Sequence, residues 1–430
     1  MTQGAPGLAA AHAGARAAAP RQLHGSTRST TTSLQQARPH VSRGVRSLGL
    51  WAPRLLLRGG CGRGGFNRRD VIGRALLQRR ELGLAPLGSL SDLLLAPIFS
   101  YANVPYRIRA YDDRMMMMQR QGRLSFYMKC LGEEAVSVGA AMAMENRDIV
   151  VPSYRQQGLL FVRGRSMVDM ISHCITNSND NVKGRQMPVH YSWKEGNFVS
   201  ISSPVGTQFP QAVGAAMAFA YRGEDSIACT WLGEGTSAQG DFHYGLNFAS
   251  VYQAPCVLVV VNNQWAISTH RNLAHGGSSF AARGIPYNVA SIRVDGQDLL
   301  AVYAAHKWAT ERARAGHGPT LLEMYTYRGD SHSSSDDPSI YRPGDGYENW
   351  PLGDPVDRLK AHLVKIGEWD DARHEALQAQ CKDEIIAAYK EAETHGTLKD
   401  GPFPPVTTLF EDVYEDEPWH LLEQRGQVGI

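Results

Sequence analysis

The sequence predicts an α/β fold, a parallel sheet covered on both faces by helices, and two observations carry that expectation. From about residue 126 to 330, short apolar runs bounded by Gly, Pro or Asn alternate with longer small-residue stretches. That alternation is the pattern of parallel strands joined by crossover helices. In addition, Gly233-Glu234-Gly235 directly follows one apolar run, and Asn262-Asn263 ends the next. In this architecture, ligands bind beyond the carboxyl ends of the strands.

The elements follow in chain order. Residues 1–69 hold 11 Arg but no Lys, Asp or Glu, and are rich in Ser, Thr and Ala. An Arg-rich, acid-free start reads as a transit peptide of an organelle and not as folded structure. The alternative is a basic arm that binds nucleic acid. Removing those 11 from the 44 basic residues leaves 33 against 42 acidic ones, a body of net charge −9. An acidic body argues against nucleic acid as a partner.

Residues 70–125 form an N-terminal arm leading into a helix near 107–121, on which Met115, Met116, Met117 and Met118 include packing residues. Strands are expected at 149–152, 226–232, 256–261 and 320–325, and helices at 132–144, 208–221, 240–252 and 298–315. The last helix opens on Asp298 and stops at Gly316, a capping residue and a C-terminal glycine. Residues 329–350, rich in Ser, Asp, Pro and Gly, read as a surface loop. An amphipathic helix follows at 370–394, with Leu377, Cys381, Ile385 and Tyr389 along one stripe. The domain boundaries are thus 1–69, 70–125, 126–350 for the α/β domain, and 351–430 for a C-terminal helical extension.

Composition sets further limits. The chain has 430 residues, 43% hydrophobic and 20% charged, the profile of a globular protein with a sizeable core. No run approaches the roughly eighteen apolar residues of a membrane span. Cys61, Cys130, Cys174, Cys229, Cys256 and Cys381 are scattered, without the close pairs of a zinc or redox site, and read as reduced structural thiols.

The chemistry lies at the strand tips. Twenty-six residues separate Gly235 from Asn262, enough for one helix and one strand. Adjacent parallel strands would then deliver a carboxylate, Glu234, and an amide oxygen, Asn263, to one edge, where they can hold a hard cation such as Mg²⁺. Gly233 and Gly235 let the backbone approach a phosphate, and Thr236 opens the segment whose amides face it.

This strand, Gly-Glu-Gly, helix, strand, Asn-Asn arrangement resembles the diphosphate motif of thiamine-diphosphate enzymes, with Glu234 where Asp is usual. Over about residues 100–415 the chain is similar to the α subunits of branched-chain 2-oxo acid dehydrogenases. Gly122-Arg-Leu-Ser-Phe-Tyr-Met, Gly184-Arg-Gln-Met-Pro-Val-His-Tyr, Ser202-Ser-Pro-Val-Gly-Thr-Gln and the segment 284–295 carry the likeness. The resemblance implies a three-layer thiamine-diphosphate-binding fold, with Mg²⁺ held by Glu234, Asn263 and the Trp265 carbonyl. It implies that Tyr154 and Arg155 meet the diphosphate and the substrate side, that Ser203 and Val205 flank the thiamine core, and that Ser202, Pro204, Thr207 and Gln208 hold K⁺. From the residues alone, 202–208 is only a turn rich in hydroxyls and carbonyls suited to some hard cation.

In Tyr327-Arg-Gly-Asp-Ser-His-Ser-Ser-Ser-Asp-Asp-Pro, the resemblance makes His332 the active-site histidine, with Tyr154 beside it. It makes Arg328 a loop-ordering or phosphate-pairing residue and Ser333 a phosphorylated one. Pro343 occupies the family's second phosphorylated position, so that control is absent. Val261 departs from relatives that place a charge there, which shifts diphosphate binding toward Arg155, the metal and backbone amides.

The reaction implied is oxidative decarboxylation of branched 2-oxo acids, with acyl transfer to a lipoyl group on an acyltransferase core in the mitochondrial matrix. Pyruvate or another 2-oxo acid, and a catalytically silent scaffold, are the alternatives. No second sheet unit is visible to supply the glutamate that acts on the aminopyrimidine ring. A β subunit in an α₂β₂ assembly is therefore implied, and a regulatory kinase and phosphatase are possible partners. Leu409-Phe-Glu-Asp-Val-Tyr resembles the family's terminal segment, packed against a neighbouring subunit.

Overall fold

The computed structural model describes residues 101–430. The expected leader at 1–69 and the arm at 70–100 lie outside the described residues. Five parallel strands form the sheet: β1 (Ile149–Val151), β2 (Ala228–Gly233), β3 (Cys256–Asn262), β4 (Ala290–Asp295) and β5 (Thr320–Tyr325), in the order β1-β2-β3-β5-β4. The sequence anticipated four of these strands to within a residue or two.

It did not anticipate β4. That strand reads Ala-Ser-Ile-Arg-Val-Asp and sits at the sheet edge, mostly half-buried. Edge strands need no continuous apolar run, so the signal that marks a central strand is missing.

Strand β3 is buried along its whole length, and its side chains alternate between two cores. Val257, Val259 and Val261 enter one apolar cluster, and Cys256, Leu258 and Val260 enter the other. Successive side chains of a strand point to opposite faces, so a run of β-branched residues serves both layers at once.

One face is covered by α1 (Val104–Arg120), α2 (Glu134–Met142), α3 (Gly158–Arg163), α4 (Met167–Ile175) and, further along the chain, by Leu299, Val302, Ala305 and Ala309. The other is covered by α5 (Gln208–Arg222) and α6 (Gly240–Val251), through Phe209, Ala212, Val213, Phe242 and Leu246.

The residues from Leu299 belong to α7 (Leu299–Arg314). The Asp298 side chain accepts from the amides of Leu300 and Ala301, and Gly316 turns out of the helix at φ +76°. These are the start and stop expected of it. Helix α2 crosses α7 closely because Gly139 has no side chain. A Cβ there would lie 2.8 Å from Val302 Cγ1 and 2.9 Å from the Leu299 carbonyl.

The C-terminal part joins the same core. After α8 (Pro355–Lys365) comes α9 (Asp371–Glu393), capped by Asp370, with Leu377, Cys381, Ile385 and Tyr389 buried. Met115, Met116 and Met118 are buried on α1, and Met117 faces solvent, so the methionine run is packing. Cys130, Cys174, Cys229, Cys256 and Cys381 are free and buried. Among the described residues no helix is long and apolar enough to cross a membrane.

Candidate active site

The register of β2 and β3 decides where the motif sits. Gly233 pairs with Val261, so Glu234 and Asn262 emerge at the same edge. The Glu234 amide donates to the Val261 carbonyl at 3.1 Å, tying the Gly-Glu-Gly turn to the neighbouring strand. Gly235 is required there: a Cβ would lie 2.4 Å from Cβ of Ala266. Gly233 meets nothing within 4 Å, which leaves its surroundings open to a ligand.

Glu234 is 3% exposed, and its Oε1 is buried without a hydrogen-bond partner. Burial pushes its carboxyl up to about 7, and the nearby Glu133 adds to the rise. A buried carboxylate oxygen with no donor costs free energy unless something positive meets it, and a cation at Oε1 would do so.

The asparagine pair divides its work. Asn262 donates to Glu323 on β5 at 2.7 Å and accepts from Gln264, so it welds strand ends together. Asn263 donates its amide to Glu133 Oε1 at 2.6 Å, and its Oδ1 accepts the Trp265 amide at 3.2 Å. A backbone N–H can only donate, so the Trp265 amide fixes which end of the Asn263 amide is oxygen, and Glu133 takes the other end. The Trp265 carbonyl faces Arg328 Nη1 at 3.3 Å. Thr236 lies in the single turn Gly235–Ala238 that follows Glu234.

The donor set fits a hard cation: one orphaned carboxylate oxygen, one oriented amide oxygen and a carbonyl. Among the described residues, no group of three or more His, Cys, Asp or Glu gathers to hold a metal. A magnesium site here would therefore be of this mixed-oxygen kind.

A second oxygen cluster lies before α5. The Thr207 hydroxyl donates toward Ser202 Oγ at 2.8 Å and toward the Pro204 carbonyl at 3.2 Å. Gln208 donates to the Trp231 carbonyl at 2.9 Å, which turns Oε1 the other way, buried and unpartnered. Ser203 is exposed, with its hydroxyl 3.9 Å from the Met187 sulfur, and Val205 is 48% exposed.

The histidine side is held from several directions. Arg155, buried beside Glu133, binds the Lys129 carbonyl, the His332 carbonyl and His332 Nδ1, the last at 3.3 Å. A guanidinium can only donate, so Nδ1 accepts and the ring proton sits on Nε2. Burial, with Arg155 and Arg328 nearby, pushes His332 down to about 3, so the ring is neutral. The half-buried Tyr154 ring stands edge-on to it at 5.7 Å between centroids, and burial raises the Tyr154 phenol.

Residues 329–350 are less of a surface loop than their composition suggests. Arg328 is almost fully buried, donating to the Ile267 carbonyl and the Tyr341 hydroxyl, and Ser333 is 5% exposed against Ser335. Asp336 accepts from the His332 amide at 2.7 Å and from Tyr341 at 2.5 Å. Polar residues make this loop, but they spend their hydrogen bonds inward. Only from Pro338 onward is the segment mostly exposed.

Sequence reasoning missed Glu133, Asp336 and Tyr341. The acidic doublet Glu133-Glu134, opening a helix of small residues, was the available signal for the first. Asp336 and Tyr341 carried none, because their role depends on loop closure. Val261 is buried in the core and contributes no charge.

Together, fold and site define an α/β protein with a crevice at its strand tips suited to a metal-bound anion. The family model described as "Dehydrogenase E1 component" matches residues 104–400. The chain is 52% identical over 325 residues to the 2-oxoisovalerate dehydrogenase subunit alpha of Pseudomonas aeruginosa, covering 75% of this chain and 79% of that one. It is 44% identical over 323 residues to the mitochondrial 2-oxoisovalerate dehydrogenase subunit alpha of Mus musculus, covering 75% and 72%. The chain belongs to the dehydrogenase E1 component family, on its branched-chain 2-oxo acid α-subunit branch, and shares that family's dependence on thiamine diphosphate.

Proposed function

We propose that this chain is the α half of a thiamine-diphosphate-dependent branched-chain 2-oxo acid dehydrogenase, working with a β subunit and a lipoyl-bearing acyltransferase core. The observation that carries the reading is the orphaned Glu234 oxygen beside the oriented Asn263 amide, at the strand edge of a chain similar to 2-oxoisovalerate dehydrogenase α subunits.

Bound thiamine diphosphate supplies the nucleophilic carbon and the electron sink for decarboxylation. The residues of this chain do the rest. Glu234, Asn263 and the Trp265 carbonyl hold Mg²⁺ against the diphosphate, and the open approach at Gly233, with Gly235 and Thr236, admits the phosphate oxygens. Ser202, Pro204, Thr207 and Gln208 hold K⁺, stiffening the turn that presents Ser203 and Val205 to the thiamine core. Tyr154 walls the substrate side. Arg155 anchors His332 and lends positive potential to the diphosphate.

Neutral His332 keeps its Nε2 proton available to donate to a developing oxyanion or to the lipoyl group. Ser333 is a candidate for phosphorylation. A phosphate there would set about two negative charges beside His332 and the diphosphate, and the buried Ser333 hydroxyl could be reached only with the loop opened. A kinase and phosphatase would then be regulatory partners. The Arg-rich leader directs the chain to the mitochondrial matrix, in keeping with the mitochondrial relatives; the Pseudomonas relative has no such address in its name.

The test is reconstitution. The isolated chain should decarboxylate nothing; with its β partner it should turn over 2-oxoisovalerate faster than pyruvate. Robust turnover by the isolated chain, or a preference for pyruvate, would overturn the reading.

A further inference from the structure

One segment near the substrate side is built in an unfavourable backbone conformation. Within residues 176–190, Thr176, Lys183, Gly184 and Val189 all have positive φ, and Val189 stands at +64°. A β-branched residue in the left-handed region is a true outlier that persists only when its surroundings impose it. Val189 is also fully buried.

What imposes it lies directly beneath. The Met187 carbonyl accepts from the His190 amide at 3.0 Å, closing the turn, and from Nε2 of His173 at 3.1 Å. His173 is on α4, wholly buried, with Nδ1 3.1 Å from Asp180 Oδ1. Asp180 is buried as well, and its carboxylate also accepts from the amides of Val182 and Gly184. A rigid helix thus grips the turn through a two-residue relay.

The turn faces two ways. Met187 is 46% exposed, large for an apolar side chain whose carbonyl is so firmly held, and its sulfur is 3.9 Å from the Ser203 hydroxyl. The His190 ring is 6.3 Å from Tyr154, which in turn stands against His332.

We propose that the buried His173–Asp180 pair is a positioning device for the reaction, holding the strained turn 187–190 so that Met187 lines the apolar side of the substrate site beside Ser203 and His190 buttresses Tyr154. It deepens the functional reading and rests on Ser203, Tyr154 and His332 forming the substrate side. Neither His173 nor Asp180 touches substrate. They act through Met187 and His190.

The experiment compares His173→Ala, His173→Gln and the double variant His173→Ala/Val189→Gly in the enzyme assembled with its β subunit. Misplacing a wall by about an ångström costs on the order of a hundredfold, so kcat/KM for 2-oxoisovalerate should fall tenfold to a hundredfold in His173→Ala. Thiamine diphosphate affinity should fall by less than kcat/KM does, because Glu234 and Asn263, proposed to hold the cofactor's charged tail, lie outside the turn that the pair grips. His173→Gln, which can still donate to the Met187 carbonyl, should keep most of the activity. Glycine adopts positive φ freely, so Val189→Gly removes the strain that the clamp holds. The double variant should regain part of the kcat/KM that His173→Ala loses while its thermal midpoint stays lower, because Val189 is fully buried and its loss leaves a cavity. A purely structural role would move the two readouts together.

Hydrogen exchange at the His190 amide should quicken in His173→Ala and return toward wild type in His173→Gln. An unchanged kcat/KM with unchanged exchange would overturn the proposal, and so would parallel loss of cofactor affinity. Should His173→Ala fail to fold, Asp180→Asn keeps the shape and must shift kcat/KM and exchange in the same direction, or the proposal falls. Exchange reads the clamp without turnover. A wild-type enzyme inert toward every 2-oxo acid would sink the functional reading and leave the exchange result intact.

Discussion

The two sides of the crevice are built on opposite plans. At the strand tips, Glu133, Glu234, Asn262 and Asn263 are buried and bonded to one another or to the sheet. On the other side, Ser203 and Val205 stand exposed. The first side is finished within this chain, down to the one carboxylate oxygen left for a cation. The second is a half-surface, open at both a hydroxyl and an apolar side chain. In the proposed reading, the diphosphate end of the site is completed by this fold, whereas the reacting end takes a second protein wall to exclude water. Isolated α chain should therefore bind the cofactor's charged tail better than it performs any chemistry.

The sharpest way to break that contrast is at the finished side. Glu234→Ala removes the only orphaned carboxylate oxygen among the described residues of the crevice, and Asn263→Ala removes the oriented amide. Each should weaken Mg²⁺-dependent thiamine diphosphate binding by 10²-fold or more, on the order of what losing a charged ligand pair costs. Titration calorimetry with and without Mg²⁺ checks it. Binding as tight as wild type would remove the metal from these residues.

Next in size is His332→Ala. A positioned acid contributes roughly 10²–10⁴-fold, so acyl transfer to the lipoyl group should fall by that much while cofactor affinity holds; single-turnover acylation reads the difference. The pH behaviour follows from its charge state. With His332 pushed down to about 3, kcat/KM should show no inflection from this ring between pH 5 and 8. The sign for stability is that of a depressed histidine. The unfolded chain takes up a proton near the ordinary value of about 6.5 and the folded chain resists it. Its contribution to stability is thus present at neutral pH and lost as pH falls from there toward 3.

Much of this was legible in the sequence, and the reason is physical. The central strands β2, β3 and β5 are mostly apolar because both faces are covered, with Thr230 and Glu323 among the buried polar exceptions, and helices α7 and α9 announce themselves by Asp298 and Asp370 at their starts. The strand-tip residues were legible because spacing and register are coupled: one helix and one strand between Gly235 and Asn262 force the tips together. Glu133 was not, since its value lies in orienting Asn263 across 130 positions of sequence. Edge strand β4 hid behind its half-polar composition. The start of the loop after Tyr327 is more enclosed than its composition suggests, because polar residues that satisfy one another inward have the same composition as residues that face water, whereas from Pro338 onward it is the surface loop expected.

The smallest expected effect sets the two sides against each other by stability alone. Adding one methyl group at Gly235 brings a Cβ to 2.4 Å from Ala266 Cβ; Gly235 opens a tight turn tied to β3, and Ala266 sits in a short strand paired with Thr269, so neither yields easily. Overpacking of that kind costs about 1–3 kcal/mol, so Gly235→Ala should lower the thermal midpoint by several degrees. Removing two methyl groups at Val205, which is 48% exposed, takes away little that the isolated chain has packed. Val205→Ala should stay within about 0.5 kcal/mol of wild type in the α chain by itself, as surface changes do. In the assembled enzyme the same substitution should become costlier if a second wall closes over it. Equal effects of Val205→Ala alone and in the assembly would mean that this face meets no partner, and the contrast between a finished and an unfinished side would not survive.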